Sequence, residues 1–422
     1  MKSTIILVGL LFLCIFRMPL AAAFHFRKII IPLDLLPLLF LIIIFVTRYR
    51  SEDLRKRAQL LWGKSWFRWN ILLFAYAVSY IALTLYSMDA GATQAVRELM
   101  STTLFLIFPL LLFLSFKRNE LLFILNCTLR GVVFVAFFLT LSEFVLIQFH
   151  FFNATEIRYW LMGEIYTSPI RINTFMGQGA ISSLIPLSAY VFYFFNATES
   201  FYSHITVKRD EKALLALSFL TILMSDSFTL VLILILISAG TVYYFMRNDV
   251  KHKGIAFSRK QFLSRLSFLF LAILILMCIT PLGERFIAYF YRGQIIAALG
   301  NYYPRLSQCH LSSLIFGFPH SDGYVQSAEC RSGEFHGIHM IFQVGLLVQI
   351  LWYLFLLSPI YATIKFVRGD RSSHLLALIL GALVFPLALI HYAGAEIWGN
   401  NYVLALFVVL VFKEQVASAA FH

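Results

Sequence analysis

About a dozen apolar runs, each near ~20 residues, dominate this chain, and a helix of that length spans ~30 Å, the thickness of a bilayer's hydrocarbon layer. They cover residues 4–24, 29–47, 70–88, 98–116, 131–150, 173–195, 212–225, 228–246, 263–282, 340–364, 374–391 and 401–412. Composition agrees: of 422 residues 60% are hydrophobic and 13% charged, with a mean hydropathy of +0.82, against roughly 25% charged in soluble domains. A water-soluble enzyme and a disordered chain are excluded on that ground. A porin-type barrel is excluded because its strands would alternate over ~10 residues. The expected fold is all-α, a polytopic membrane protein with about twelve transmembrane helices. Residues 1–422 read as a single transmembrane domain without internal repeats or Gly/Ser-rich linkers.

The formal net charge of +13 points to topology and not to nucleic acid, because loops on the inner side of a membrane collect Lys and Arg. With the N-terminus inside, 24 of the 34 cations fall on the cytoplasmic side, among them the cluster from Arg48 to Arg68 and the group Lys117, Arg118, Arg130, Lys208, Arg209 and Lys212. Both termini are then cytoplasmic. Lys2, an apolar stretch and Ala21-Ala22-Ala23 give the first run the look of a signal peptide, but Arg17 and Pro19 interrupt it, so a retained span is expected. Two outer segments exceed the otherwise tight turns: a shorter periplasmic loop at 151–172 and a large one at 283–339, long enough for short helices of its own. Loops of that length carry function more often than tight turns do.

Beyond Arg27 and Lys28 in the first hairpin, the outward cations are all arginine: Arg97, Arg158, Arg171, Arg285, Arg292, Arg305 and Arg331. A guanidinium is a rigid fork that grips phosphate or carboxylate through parallel hydrogen bonds, whereas an ammonium is a compact point charge. The pattern suits an outer face that holds a polyanionic group near the membrane. The large loop also gathers His310, His320, Asp322, Glu329, Glu334, His336 and His339. Zinc is not expected, since neither His-Glu-x-x-His nor paired Cys-x-x-Cys occurs. A neutral imidazole with a pKa near ~6.5 fits a general base instead. Aromatic residues in these loops, such as Tyr159 and Trp160, read as interfacial anchors.

Cys14, Cys127 and Cys278 fall in or against spans, where a thiol packs as a small hydrophobe. Cys309 and Cys330 share the large loop; in an oxidising compartment a bridge between them would close about twenty residues. Arg17 and Asp34, in neighbouring spans, are expected to pair. Glu143 in the fifth span and Glu396 in the last outer turn are carboxylates of the kind found in proton relays, which supports a transporter as an alternative function.

From 131 to 412 the chain resembles the superfamily of O-antigen polymerases and O-antigen ligases. Arg171-Ile-Asn-Thr-Phe opens the sixth span in the manner of the family's Arg-x-x-Gly-Thr-Phe. Ser225-Asp226-Ser227 is similar to its Ser-x-Ser-Arg turn, with Phe228 where the family carries arginine. Arg305 stands ahead of Ile315-Phe-Gly-Phe-Pro319, similar to a glycine-containing segment of the family's large loop. The stretch Glu334-Phe-His336-Gly-Ile-His339-Met-Ile-Phe-Gln-Val-Gly345-Leu resembles the histidine motif that begins the following span, and either His336 or His339 matches its histidine.

The resemblance implies a metal-independent, inverting integral-membrane glycosyltransferase without cofactors, in the bacterial inner membrane. Its donor would be an oligosaccharide on undecaprenyl pyrophosphate. A polymerase would transfer it to another lipid-linked repeat of an O-antigen or capsule, and a ligase to the core of lipid A. Membrane lipid, a chain-length regulator and a flippase are the implied partners. Arg171, Arg305 and Arg331 would hold the pyrophosphate, with Arg158 and Arg292 beside them. His336 or His339 would activate the acceptor hydroxyl, and Glu334 would orient the base.

Overall fold

The structure is a computed structural model and describes residues 2–17, 20, 30–48, 107–149, 183–202, 206–225, 228–253, 373–389 and 398–419, together with isolated helical positions at 267, 271, 315, 346 and 350. Among the described residues the regular structure is entirely helical, in agreement with the all-α expectation. The elements are α1 (Lys2–Ile15), α2 (Ile30–Arg48), α3 (Arg118–Gln148), α4 (Leu184–Tyr202), α5 (Arg209–Met224), α6 (Phe228–Lys253), α7 (Ser373–Leu389) and α8 (Trp398–Ala419), with residues 107–115 also helical. The chain forms two compact units. One comprises Met1–Ala21, His25–Thr128 and Ala297–His422; the other comprises Ala22–Phe24 and Leu129–Ile296. Helix α3 belongs to the first unit up to Thr128 and to the second from Leu129.

In the first unit α8 lies at the centre. Every residue from Tyr402 to Phe412 is buried, as expected for a helix that is apolar all round. It packs against α1 and α7, and α1 packs against α2. The buried face of α1 is Thr4, Leu7, Leu11 and Cys14, an alternation of three and four residues that keeps one stripe turned inward. In α2 the buried residues Leu38, Leu41 and Ile44 follow the same rule. Pro32 falls in the first turn of α2, where no amide hydrogen is needed. Helices α7 and α8 approach closely at Gly381, where a Cβ would lie 2.5 Å from Cε1 of Phe407. The ring of Phe108 sits 4.2 Å from that of Tyr402.

The second unit is built around α4, buried from Leu184 to Tyr193 and packed on α5 and α6. Pro186 occupies its first turn. Aromatic rings join these helices: Tyr190 meets Phe219 of α5, and Phe195 meets Phe245 of α6 at 4.8 Å. Asp210 and Glu211 place negative charge in the first turn of α5, where the helix dipole favours it. Two buried hydroxyls are satisfied within their own helices, Thr221 donating to the carbonyl of Leu217 and Thr241 to that of Ile237.

The outward faces are apolar too. On α3, Phe123, Phe134, Phe138, Val145 and Phe149 are exposed, Phe134 by 54%, and at ~100° per residue they fall within about 80° of arc. Leu39, Ile42, Ile43 and Val46 line α2, and Leu232, Leu236 and Tyr243 line α6 in the same way. Large aliphatic and aromatic side chains thus form continuous external stripes, where water-facing helices carry charge.

Helix α3 departs from the expected boundaries. Its apolar run begins at residue 131, yet the helix starts at Arg118 and continues for 31 residues. Residues 118–130 hold no proline and no glycine, and they bury Leu121, Ile124, Leu125 and Leu129 along one face, so the preceding polar segment is an amphipathic extension of the helix and not a loop. Glu120 starts it by accepting a hydrogen bond from the amide of Lys117 at 2.7 Å, one half of a capping box. Of the described helices, α3 is long and apolar enough to cross a membrane, with a mean hydropathy of 2.1 over its most apolar window. The runs at 70–88, 263–282 and 340–364 lie outside the described residues apart from single positions.

Candidate functional site

The residues assigned to catalysis and donor binding, Glu334, His336, His339, Arg158, Arg171, Arg292, Arg305 and Arg331, lie outside the described residues, as do Cys309 and Cys330. Of the Ser225-Asp226-Ser227 turn, Ser225 is described. It is buried, follows the last turn of α5 and donates its hydroxyl to the carbonyl of Ile222 at 2.6 Å.

The described polar chemistry of the second unit is concentrated where α3, α4 and α5 meet. Arg130 closes the amphipathic part of α3, one residue before the apolar run begins. Its Nη2 lies 2.9 Å from Oδ2 of Asp210, in the first turn of α5. The same guanidinium donates a hydrogen bond to the phenol oxygen of Tyr193 on α4. The Tyr193 ring is buried, whereas Arg130 and Asp210 each remain about half exposed. One planar fork thereby serves two acceptors on two helices, which a lysine could not do with the same geometry. Because a guanidinium keeps its proton at any working pH, the group ties helices together and does not supply acid-base chemistry. One helical level deeper in the unit, Ser238 of α6 donates to the hydroxyl of Tyr190 of α4 at 3.4 Å.

Reading the sequence alone places Arg130 in an inner connection without a partner, and it misses both Asp210 and Tyr193. An acid just ahead of an apolar run is a visible signal, but its partner lies on another helix. The same holds in the first unit for Arg118 of α3, whose Nε donates to Oε1 of Glu414 of α8.

The remaining polar and thiol groups of the helices divide as follows. Glu143 is fully buried on α3, on the side of the helix away from the exposed phenylalanines. Arg17 directs Nη1 toward the carbonyl of Cys14 at 3.5 Å; its expected partner Asp34 has a side chain outside the described residues, although α1 and α2 do pack together. Cys14 is a buried thiol and Cys127 a partly buried one. Among the described residues no group of three His, Cys, Asp or Glu side chains converges as a metal site would require. Comparison with known proteins adds no assignment: no family model, no curated protein and no solved structure matches the chain.

Proposed function

We propose that the chain is a polytopic inner-membrane glycosyltransferase that polymerises lipid-pyrophosphate-linked oligosaccharide repeats of a bacterial surface polysaccharide at the outer face of the membrane. About twelve spans would carry it, with both termini inside. The membrane part is supported by the external apolar stripes on α2, α3 and α6, whose side chains would face acyl chains. The polar tie at Arg130, Tyr193 and Asp210 then marks the inner interface. From Arg130 to the end of α3 at Gln148 the rise is about 27 Å, close to the thickness of the hydrocarbon layer.

The observation that carries the catalytic part is that the outward cations beyond the first hairpin are all arginine, together with the Glu334, His336 and His339 segment. Pyrophosphate is already a good leaving group. Catalysis therefore needs cationic forks for the charge that develops on it and a base for the attacking hydroxyl. Arg171, Arg305 and Arg331 would supply the first, with Arg158 and Arg292 next to them. His336 or His339 would supply the second, oriented by Glu334. The anomeric carbon would exchange its bond to the pyrophosphate oxygen for one to the acceptor oxygen, with inversion, and the hydroxyl proton would pass to imidazole.

The test is a deletion strain examined by gel electrophoresis of its surface polysaccharide. A single repeat on the lipid A core is the expected outcome. Full-length lipid-linked polymer accumulating beside a bare core would identify a ligase instead. In the complemented strain Arg171→Lys and Arg305→Lys should each abolish chain extension at unchanged membrane abundance; wild-type extension in both would remove the arginines from the mechanism.

A further inference from the structure

The helix preceding α3 and α3 itself are separated by a break two residues wide. Phe116 still donates its amide to the carbonyl of Leu112, and Leu121 to that of Lys117, but neither Phe116 nor Lys117 is helical. The end of α8 reaches both sides of this break. Lys413 holds its Nζ 4.4 Å from the centroid of the Phe113 ring, on the helix before it. The next residue, Glu414, accepts from Nε of Arg118, the first residue of α3. Phe113 is buried and the Glu414 side chain is 11% exposed, whereas Arg118 remains 44% exposed, so the α8 end of the ion pair is shielded and its α3 end meets water. Consecutive residues of one helix thus grip the two helices that flank a break in another part of the chain.

We propose that Lys413 and Glu414 form a clasp that fixes the angle between residues 107–115 and the first turns of α3, so that the end of α8 restrains the start of α3 within the first unit. Three features support a restraint beyond incidental surface pairing. The Glu414 carboxylate is held in a shielded position on α8, so its half of the pair is already ordered when Arg118 reaches it from the solvent side. The ammonium sits over an aromatic face, an attraction that strengthens on desolvation. Glu120, one turn into α3, caps the amide of Lys117 at the break itself, so α3 has its own start and only its direction is left to the clasp.

Hydrogen exchange followed by mass spectrometry on the full chain in detergent micelles tests this through peptides covering 112–122. Glu414→Gln and Lys413→Met should each speed exchange there at least threefold, and together at least tenfold, while peptides of α4 and α5 keep their rates. The charge exchange Arg118→Glu with Glu414→Arg should return exchange to within twofold of the wild type. Wild-type exchange in the double variant Lys413→Met, Glu414→Gln overturns the clasp. If Glu414→Arg alone fails to accumulate, the charge exchange should restore accumulation; equal loss in both also overturns it.

Discussion

Single side chains in this protein act chiefly by holding helices at set distances. Gly381 is the clearest case, because a methyl group there would run into Phe407, a ring enclosed on all sides. Gly381→Ala should therefore destabilise by about 1–3 kcal/mol through overpacking, and Phe407→Leu in the same chain should recover part of the loss; thermal unfolding in detergent measures both. At the junction of α3, α4 and α5 the guanidinium of Arg130 is half exposed, so each contact is partly compensated by water and its worth is about 1 kcal/mol or less. Arg130→Lys should cost as much as Arg130→Gln, because an ammonium cannot serve Asp210 and the Tyr193 phenol in the same fork geometry. Equal stability of Arg130→Lys and wild type in denaturant titrations would show the bidentate geometry to be immaterial. These residues stand out in the sequence only as charges near apolar runs. Tyr193 does not stand out, since nothing local separates it from Tyr190 or the phenylalanines around it.

At the level of helices, the spacing of apolar residues was sufficient to place most elements. The runs at 29–47, 212–225, 228–246 and 374–391 coincide with α2, α5, α6 and α7 to within a few residues at most ends, because helix formation and the choice of buried face are local properties. Helix α3 shows where that reading falls short. A hydropathy run ends when polar residues appear, but a helix ends only when its backbone bonds do, and Arg118 to Arg130 keep them while burying leucines on one side. The exposed stripe of α3 yields a sharp test of its surroundings. In an apolar solvent Phe138→Asp should cost about 2.5–3.5 kcal/mol of insertion free energy and lower membrane abundance several-fold, with Phe138→Leu neutral. On a water-facing surface both substitutions would stay within about 0.5 kcal/mol, and equal abundance of the two variants would place α3 in water.

For the whole molecule, the charge distribution predicts sidedness. A single cysteine introduced at Lys212, in a chain with its native cysteines replaced, should react with a membrane-impermeant maleimide only after the membrane is opened. One at Thr155 in the 151–172 segment should react in intact spheroplasts. Reaction of the Lys212 position from outside would invert the topology and move the arginine-rich loops to the wrong compartment for the proposed donor. By itself the sequence determined the helical class, the apolar character of the faces and the order of the elements, because each follows from side-chain transfer energies repeated along the chain at a helical period. Tertiary structure alone decided the partners. Arg118 meets Glu414 across 296 residues, Arg130 meets Asp210 and Tyr193 on two other helices, and Gly381 meets Phe407. Such pairs depend on which helices lie side by side and at what height, and hydropathy, being the same on every apolar helix, carries no record of its neighbour.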